Sequence, residues 1–237
     1  MLFFIGKGAL LARAIEFCLK NEIAVLGASC PSDDPLIKKF KTQDVKIWQT
    51  SKPNEDLIHI FSDKRISHVF SINNRYFLDD EILCSGPLFF NIHNGLTQNY
   101  RGVAEMCLLA ALFEESPTYG ATIHKLLPNQ AIDNGPIVKQ AIFEIEPDFS
   151  FEALMARSLV NCEEVFANNL SKILKGDYNP INVKLNSHFW RYKDIKTLVA
   201  NSDMDKVKRI TELGIFRKFF PKLEACILKE ILRDHPV

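Results

Sequence analysis

Two polar residues, Asn91 and His93, end an apolar run that begins at Phe89 and form an Asn-x-His pair. A lone acid, Asp133, follows His93 by 40 residues and stands among turn residues. An amide donor, an imidazole and a carboxylate are the groups that acyl transfer needs when no Ser or Cys nucleophile takes part. Alternate residues of a strand share a face, so Asn91 and His93 are predicted to converge on one substrate carbonyl.

The same residues also have an ordinary structural interpretation. Asn91 then ends a strand, His93 is a core imidazole with satisfied hydrogen bonds, and Asp133-Asn134-Gly135 is only a turn. An Asn-x-His pair is common and does not decide between the two interpretations. Further elements in a fixed order, Tyr100-Arg101-Gly102 and then Gly120 to His124, favour the chemical one.

The elements that must position these residues alternate between strands and helices. A strand at Leu2 to Ile5 is followed by the glycine turn Gly6-Lys7-Gly8 and a helix at Ala9 to Leu19. The later strands are predicted at 23–26, 45–48, 68–72, 87–92, 121–127 and 137–145, and the later helices at 35–40, 54–61, 104–113 and 151–174. This alternation predicts an α/β fold with a mainly parallel, mixed-edge sheet and helices on both faces. Ligand-binding loops are then expected at the carboxyl edges of the strands.

A break signal divides the chain at Gly176 to Pro180. We predict a catalytic domain over residues 1–180 and a short, mostly helical C-terminal extension over 181–237. The apolar stretch Ile215 to Leu232 within the extension is expected either to form a homodimer contact or to cap the core.

Composition narrows the classes of protein. With 237 residues, 47% of them hydrophobic, the chain can bury a substantial core. The 29 basic and 29 acidic residues cancel, so no overall field favours nucleic acid or an anionic membrane. No apolar run approaches the roughly 18 residues of a membrane span. The six cysteines have no Cys-x-x-Cys spacing, so no metal site is predicted and a cytoplasmic protein with reduced thiols is expected.

The ordered set of residues resembles the folate-dependent formyltransferases. The family pattern is Asn-x-His, a loop ending in aromatic-Arg-Gly, then Gly-x-Thr-x-His and Asp-x-Gly-x-Ile, and the resemblance is specific over about residues 65–145. It implies a Rossmann-like formyltransferase core that transfers a formyl group from 10-formyltetrahydrofolate to an amine, by direct attack through a tetrahedral intermediate. The catalytic residues it implies are Asn91, His93 and Asp133. Binding of substrate or cosubstrate is expected from Tyr100, Arg101, Gly102, Thr122 and Gly135, with support of the Asp133 loop as the alternative for Thr122.

Two features leave questions open within this resemblance. The loop after His93 reads Leu96-Thr97-Gln98-Asn99 where family members usually carry a proline, so its backbone path is less restricted. The turn Gly6-Lys7-Gly8 is similar to the one with which glycinamide ribonucleotide formyltransferases hold a phosphate, and a tight turn into a helix explains it equally well.

The resemblance also bears on the amine acceptor. Formyltransferases for initiator methionyl-tRNA carry a C-terminal β-barrel and a basic surface, so no nucleic acid partner is expected for this chain. Residues 70–83 and 189–196 look most like sugar N-formyltransferases, which implies a nucleotide-linked sugar of the dTDP-4-amino-4,6-dideoxy type. The alternatives are glycinamide ribonucleotide, an aminoacyl group on a peptide-synthetase carrier, and a folate-binding scaffold without turnover.

Overall fold

The computed structural model describes residues 1–34, 45–183, 187–200 and 202–234. Its strands are β1 (Leu2–Gly6), β2 (Val25–Cys30), β3 (Lys46–Gln49), β4 (His68–Ile72), β5 (Leu88–His93), β6 (Arg101–Gly102), β7 (Thr118–Lys125), β8 (Ile137–Glu144) and β9 (Phe189–Trp190). Seven of them form one sheet in the order β3-β2-β1-β4-β5-β7-β8, and β6 pairs with β9. The pairs among β1 to β5 are parallel, whereas β7 runs antiparallel to β5.

The helices lie between these strands and in the C-terminal part. They are α1 (Gly8–Lys20), α2 (Pro53–Phe61), α3 (Asp80–Leu83), α4 (Ala104–Phe113), α5 (Phe151–Leu174), α6 (Ile195–Ala200), α7 (Met204–Ile210) and α8 (Pro221–Asp234), with 3-10 turns at Tyr192–Asp194 and Gly214–Phe219. The predicted α/β fold with a mainly parallel, mixed-edge sheet and C-terminal helices is confirmed. The predicted helix at 35–40 lies outside the described residues.

The chain divides into two compact units. The first comprises Met1–His93, Thr122–Gln140 and Cys162–Val183, and the second comprises Asn94–Ala121, Ala141–Asn161 and Lys184–Val237. The step from Val183 to Lys184 lies close to the predicted boundary at 180. However, the residues before it belong to both units, because β7, β8 and α5 each contribute residues to both. The assignment of 1–180 as one domain therefore stays a prediction.

The first unit holds the parallel strands, and both faces of its central strands are buried. Phe3 and Phe89 belong to a core cluster that includes Leu57 and Phe61 of α2 on one face. On the opposite face of the sheet, Phe70 packs edge-on against Phe166 of α5, with 5.2 Å between the ring centroids. Burial on both faces explains why these strands read as continuous apolar runs.

The second unit has its own core around α4, whose residues from Met106 to Phe113 are buried. The segments after residue 186 supply Trp190, Ile195, Val207 and Leu223 to the same cluster. The described segments after residue 186 thus pack on α4 within one core. No helix in the described ranges is long and apolar enough to cross a membrane.

The strand predicted at 68–72 ends where the sequence predicts, because β4 spans His68–Ile72. Asn73 takes a left-handed conformation with φ 50°, which turns the backbone out of the sheet.

His68, at the start of β4, links stability to pH. It is buried, its ring stacks on Phe90 at 5.9 Å, and its Nδ1 lies 2.9 Å from Oγ of Ser67. Burial lowers the pKa of His68 from its ordinary value of 6.5, the N-terminal ammonium lowers it further, and a hydrogen bond with the backbone of Ile173 opposes both.

We therefore expect the free energy of unfolding to fall as the pH drops below about 6.5, because the unfolded chain then binds a proton that the folded chain excludes. Denaturant unfolding at about pH 7.5 and about pH 5.5 would measure this loss. In His68→Gln the loss should be smaller. An equal loss in both proteins would contradict the assignment.

Candidate active site

Four polar residues lie side by side on two neighbouring strands of the first unit. In the antiparallel register of β5 and β7, Asn91 is opposite His124 and His93 is opposite Thr122. Directly opposed residues of an antiparallel pair share a face of the sheet. His93, Thr122 and His124 are buried and Asn91 is half-buried, so the four form one enclosed polar patch.

The carboxylate of Asp133 approaches both imidazoles of this patch. Its Oδ2 lies 3.7 Å from Nδ1 of His93, and its Oδ1 lies 3.6 Å from Nε2 of His124. Asp133 is buried and takes a left-handed conformation with φ 55°. This conformation is uncommon for residues other than glycine, and residues that adopt it cluster at functional sites. The structure thus brings Asn91, His93 and Asp133 together as the sequence predicts, and it adds His124.

His124 orients the amide of Asn91. Its Nδ1 lies 3.1 Å from the carbonyl oxygen of Lys125, and a carbonyl only accepts, so Nδ1 carries the proton. In the neutral imidazole Nε2 is then an acceptor, and it receives an N–H of Asn91 Nδ2 at 3.1 Å. The amide therefore presents its nitrogen toward β7. Its second N–H can be offered to a substrate oxygen.

Gly135 lets the Asp133 loop lie directly against β7. A Cβ on Gly135 would be 1.7 Å from the carbonyl oxygen of Lys125 and 3.3 Å from Nδ1 of His124. The backbone N–H of Lys125 donates to the carbonyl of Pro136 at 3.0 Å, which ties the loop to the strand. The predicted binding residue Gly135 is thus required for close approach of two backbones, and it holds Asp133 near the imidazoles.

Gly135→Ala is expected to displace this loop. Because the added Cβ overlaps a backbone atom, we expect a loss of about 1–3 kcal/mol in the free energy of unfolding. Turnover should fall about 10²-fold, since a shift of about 1 Å in a catalytic group costs that much. Denaturant unfolding and steady-state kinetics would measure the two effects.

Gly176→Ala separates the effect of a clash from that of backbone strain. Gly176 has φ +72° and no atom within 4 Å of an added Cβ, whereas Gly135 has no positive φ, so Gly176→Ala is strained without a clash and should keep wild-type turnover. Wild-type turnover in Gly135→Ala would contradict the role given to this glycine.

The known proteins that are similar to this chain are formyltransferases. No family model matches the chain. Methionyl-tRNA formyltransferases of Thermotoga maritima and Thermosipho africanus are 22% and 26% identical to it over 187 and 183 residues, which are 73% and 71% of this chain. The chain spans 58% of the length of each relative.

Solved structures match more of the chain. WlaRD, a sugar 3N-formyl transferase solved with dTDP and 5-N-formyl-THF, has a TM-score of 0.68 at 22% identity, with 81% of this chain and 70% of that one covered. A 4-N formyltransferase from Francisella tularensis has a TM-score of 0.69 at 20% identity, with 86% and 81% covered. For glycinamide ribonucleotide transformylase 1 from Symbiobacterium toebii the TM-score is 0.65 at 18% identity, with 74% and 87% covered.

This chain has the formyltransferase fold. Within that fold, the predicted binding residue Thr122 has a partner on the next strand. Its buried Oγ1 accepts a hydrogen bond from Nε2 of Gln140 on β8 at 2.8 Å. The bond joins β7 to β8 through Thr122, and the alternative that Thr122 supports the Asp133 loop stays a prediction.

The other residues predicted to bind substrate or cosubstrate, Tyr100, Arg101 and Gly102, belong to the second unit. Tyr100 is only 4% exposed, its hydroxyl donates to Oε2 of Glu114 at 3.1 Å, and burial is the main cause that raises its pKa to about 12. Arg101 donates from Nη2 to the carbonyl of Ser187 at 2.8 Å and from Nε to its Oγ at 3.1 Å. Both side chains are engaged by the protein itself, and a contact with substrate stays a prediction.

Gly102 is required where β6 meets β9. Its φ is +107°, and a Cβ would lie 2.5 Å from the carbonyl oxygen of Trp190. The N–H of Val103 donates to the same carbonyl at 3.0 Å. A packing function therefore explains this glycine without a ligand.

The loop that lacks the usual proline is held by hydrogen bonds. The N–H groups of Asn99 and Tyr100 donate to the carbonyl of Leu96 at 2.8 and 2.7 Å. Ser187 donates from Oγ to the carbonyl of Thr97 at 3.0 Å. A turn of this kind needs no proline to define its path.

Among the described residues, no group of three or more His, Cys, Asp or Glu has the arrangement of a metal site.

Proposed function

We propose that this chain transfers a formyl group from 10-formyltetrahydrofolate to the primary amine of a nucleotide-linked amino sugar, of the dTDP-4-amino-4,6-dideoxy type. The observation that supports formyl transfer most directly is the oriented amide of Asn91 beside two imidazoles that both lie within 4 Å of the Asp133 carboxylate. The folate cosubstrate supplies the formyl group. The acceptor amine is itself a nucleophile, so no Ser or Cys is needed.

Four residues of the candidate site, Asn91, His93, Asp133 and His124, have separate tasks in this reaction. The second N–H of the Asn91 amide donates to the formyl oxygen as that oxygen becomes negative. His93 takes a proton from the attacking amine and returns it to the nitrogen that leaves. Asp133 lies close enough to stabilise a protonated His93 through its charge. His124 keeps the Asn91 amide oriented and is a positioning residue.

The comparisons support the choice of acceptor. WlaRD is described as a sugar 3N-formyl transferase, and it covers 81% of this chain, whereas the glycinamide ribonucleotide transformylase covers 74%. The methionyl-tRNA formyltransferases match the chain over 58% of their own length, so they indicate the shared reaction and leave the acceptor open. Glycinamide ribonucleotide and a carrier-bound aminoacyl group are the competing acceptors.

An assay with competing acceptors tests the proposal. Binding of a folate analogue would be measured by isothermal titration. Formyl transfer would then be followed to a dTDP-4-amino-4,6-dideoxy sugar, to glycinamide ribonucleotide and to an aminoacyl carrier protein. We expect transfer to the sugar. Folate binding without transfer to any amine would reject the enzyme in favour of a scaffold, and transfer to glycinamide ribonucleotide alone would reject the sugar.

The proposal also covers the cellular location and the oligomeric state of the protein. All six cysteines are free thiols, which suits a cytoplasmic protein. Ile215, Phe219, Leu228 and Leu232 are exposed in the C-terminal segments. A homodimer through this region stays a prediction that sedimentation velocity would check.

A further inference from the structure

The glycine turn Gly6-Lys7-Gly8 lies on the same sheet edge as the catalytic pair. It leaves the carboxyl end of β1, which is separated from β5 only by β4. With a strand spacing of about 4.8 Å, the turn is roughly 10 Å from the strand that carries Asn91 and His93. A small acceptor with its amine at Asn91 and a phosphate about 10 Å away would meet the N-terminus of α1, where helices bind anions.

The polar groups of the turn are already used by the protein. The N–H of Lys7 donates to the carbonyl of Ile72 at 3.3 Å, and the carbonyl of Lys7 accepts from Nδ2 of Asn73 at 3.3 Å. The N–H of Gly8 donates to Oδ2 of Asp34 at 2.8 Å. A carboxylate thus occupies the position at the start of α1 that a phosphate oxygen would take.

Asp34 has little solvent to screen its charge. Its side chain belongs to a residue that is only 8% exposed. The pKa of the neighbouring Cys30 is raised to about 11, mainly by burial of the thiol and to a smaller extent by the negative charge of Asp34. The cleft beside the turn is lined by Gly6, Cys30, Thr50 and Asn74 among others, and its volume is about 10 Å³. That space is about enough for one water molecule.

We propose that Asp34 is a specificity residue that keeps phosphate away from the N-terminus of α1. The chain then accepts amines that place no phosphate there, which disfavours glycinamide ribonucleotide and leaves a nucleotide-linked sugar acceptable. This inference rests on the formyl transfer proposed above. Like charges within a few ångströms at a poorly solvated site are expected to weaken phosphate binding about tenfold or more.

The test compares one ligand with and without its phosphate. Isothermal titration of the folate-saturated protein would give the affinities for glycinamide ribonucleotide and for glycinamide riboside. The wild-type protein should bind the two equally or bind neither. Asp34→Asn keeps an oxygen that accepts from Gly8 but removes the charge, so it should bind the ribonucleotide about tenfold more tightly than the riboside.

Asp33→Asn is the matched control, because Asp33 is exposed and loses the same charge one residue away. It should behave like the wild type. A wild-type protein that already favours the ribonucleotide tenfold would overturn the proposal, and this comparison needs no folded variant. Equal affinities in a folded Asp34→Asn would overturn it as well. Failure of formyl transfer to the amino sugar would instead reject the proposed function and leave these binding ratios intact.

Discussion

Asn91→Ala is expected to lower the turnover number for formyl transfer by about 10²- to 10³-fold, the usual cost of removing one donor to a developing oxyanion. The amide of Asn91 is held by Nε2 of His124 at 3.1 Å, so its second N–H is oriented before the substrate arrives. Alanine removes that donor and leaves the β5 backbone unchanged. Steady-state kinetics with saturating cosubstrate would give the turnover number.

Asn168→Ala on the exposed side of α5 is the control for this variant and should retain wild-type kinetics. Asn91→Ala should still fold, with a loss of about 1–3 kcal/mol in the free energy of unfolding, because Nε2 of the buried His124 loses its donor. A turnover number within a factor of about three of the wild type would remove Asn91 from the proposed mechanism.

His93→Ala is expected to lower turnover by about 10²- to 10⁴-fold, the range for losing a general acid/base. His93 lies 3.7 Å from Asp133, so its imidazole is the group on β5 that can carry a proton next to a stabilising negative charge. Removal leaves Asp133 beside His124, whose Nδ1 is bonded to Lys125 and whose Nε2 accepts from Asn91. His124 is therefore not expected to replace it.

His59→Ala on the exposed face of α2 serves as the control and should leave turnover unchanged. A folate analogue should still bind His93→Ala in isothermal titration, which separates lost chemistry from lost binding. Wild-type turnover in this variant would contradict the role of His93 as the proton carrier.

Several elements could be predicted from the sequence because they follow local rules. The strand at His68–Ile72 and the helices at Ala104–Phe113 and Phe151–Leu174 have the bounds that their hydrophobic patterns predict. Their periodicity is strong and long, and such patterns define an element well.

The choice among roles for polar residues could not be made from the sequence. Tyr100 and Arg101 occur in a family-like position, yet their side chains bond to Glu114 and Ser187 of the same unit. Asp34 was not distinguishable from its neighbour Asp33, although only its carboxylate accepts from the glycine turn at 2.8 Å. Such partners are distant in sequence, and no local pattern marks them.

By itself the sequence determined the α/β alternation, the residue types of the candidate site and their order along the chain. These properties depend on the spacing of apolar residues and on the identity of side chains. Only the tertiary structure decided that His124 lies opposite Asn91, that the Asp133 carboxylate lies within 4 Å of two imidazoles, and that Gly135 permits this approach. Strand register and backbone contact decide these points, and the register joins Asn91 to His124, which are 33 residues apart.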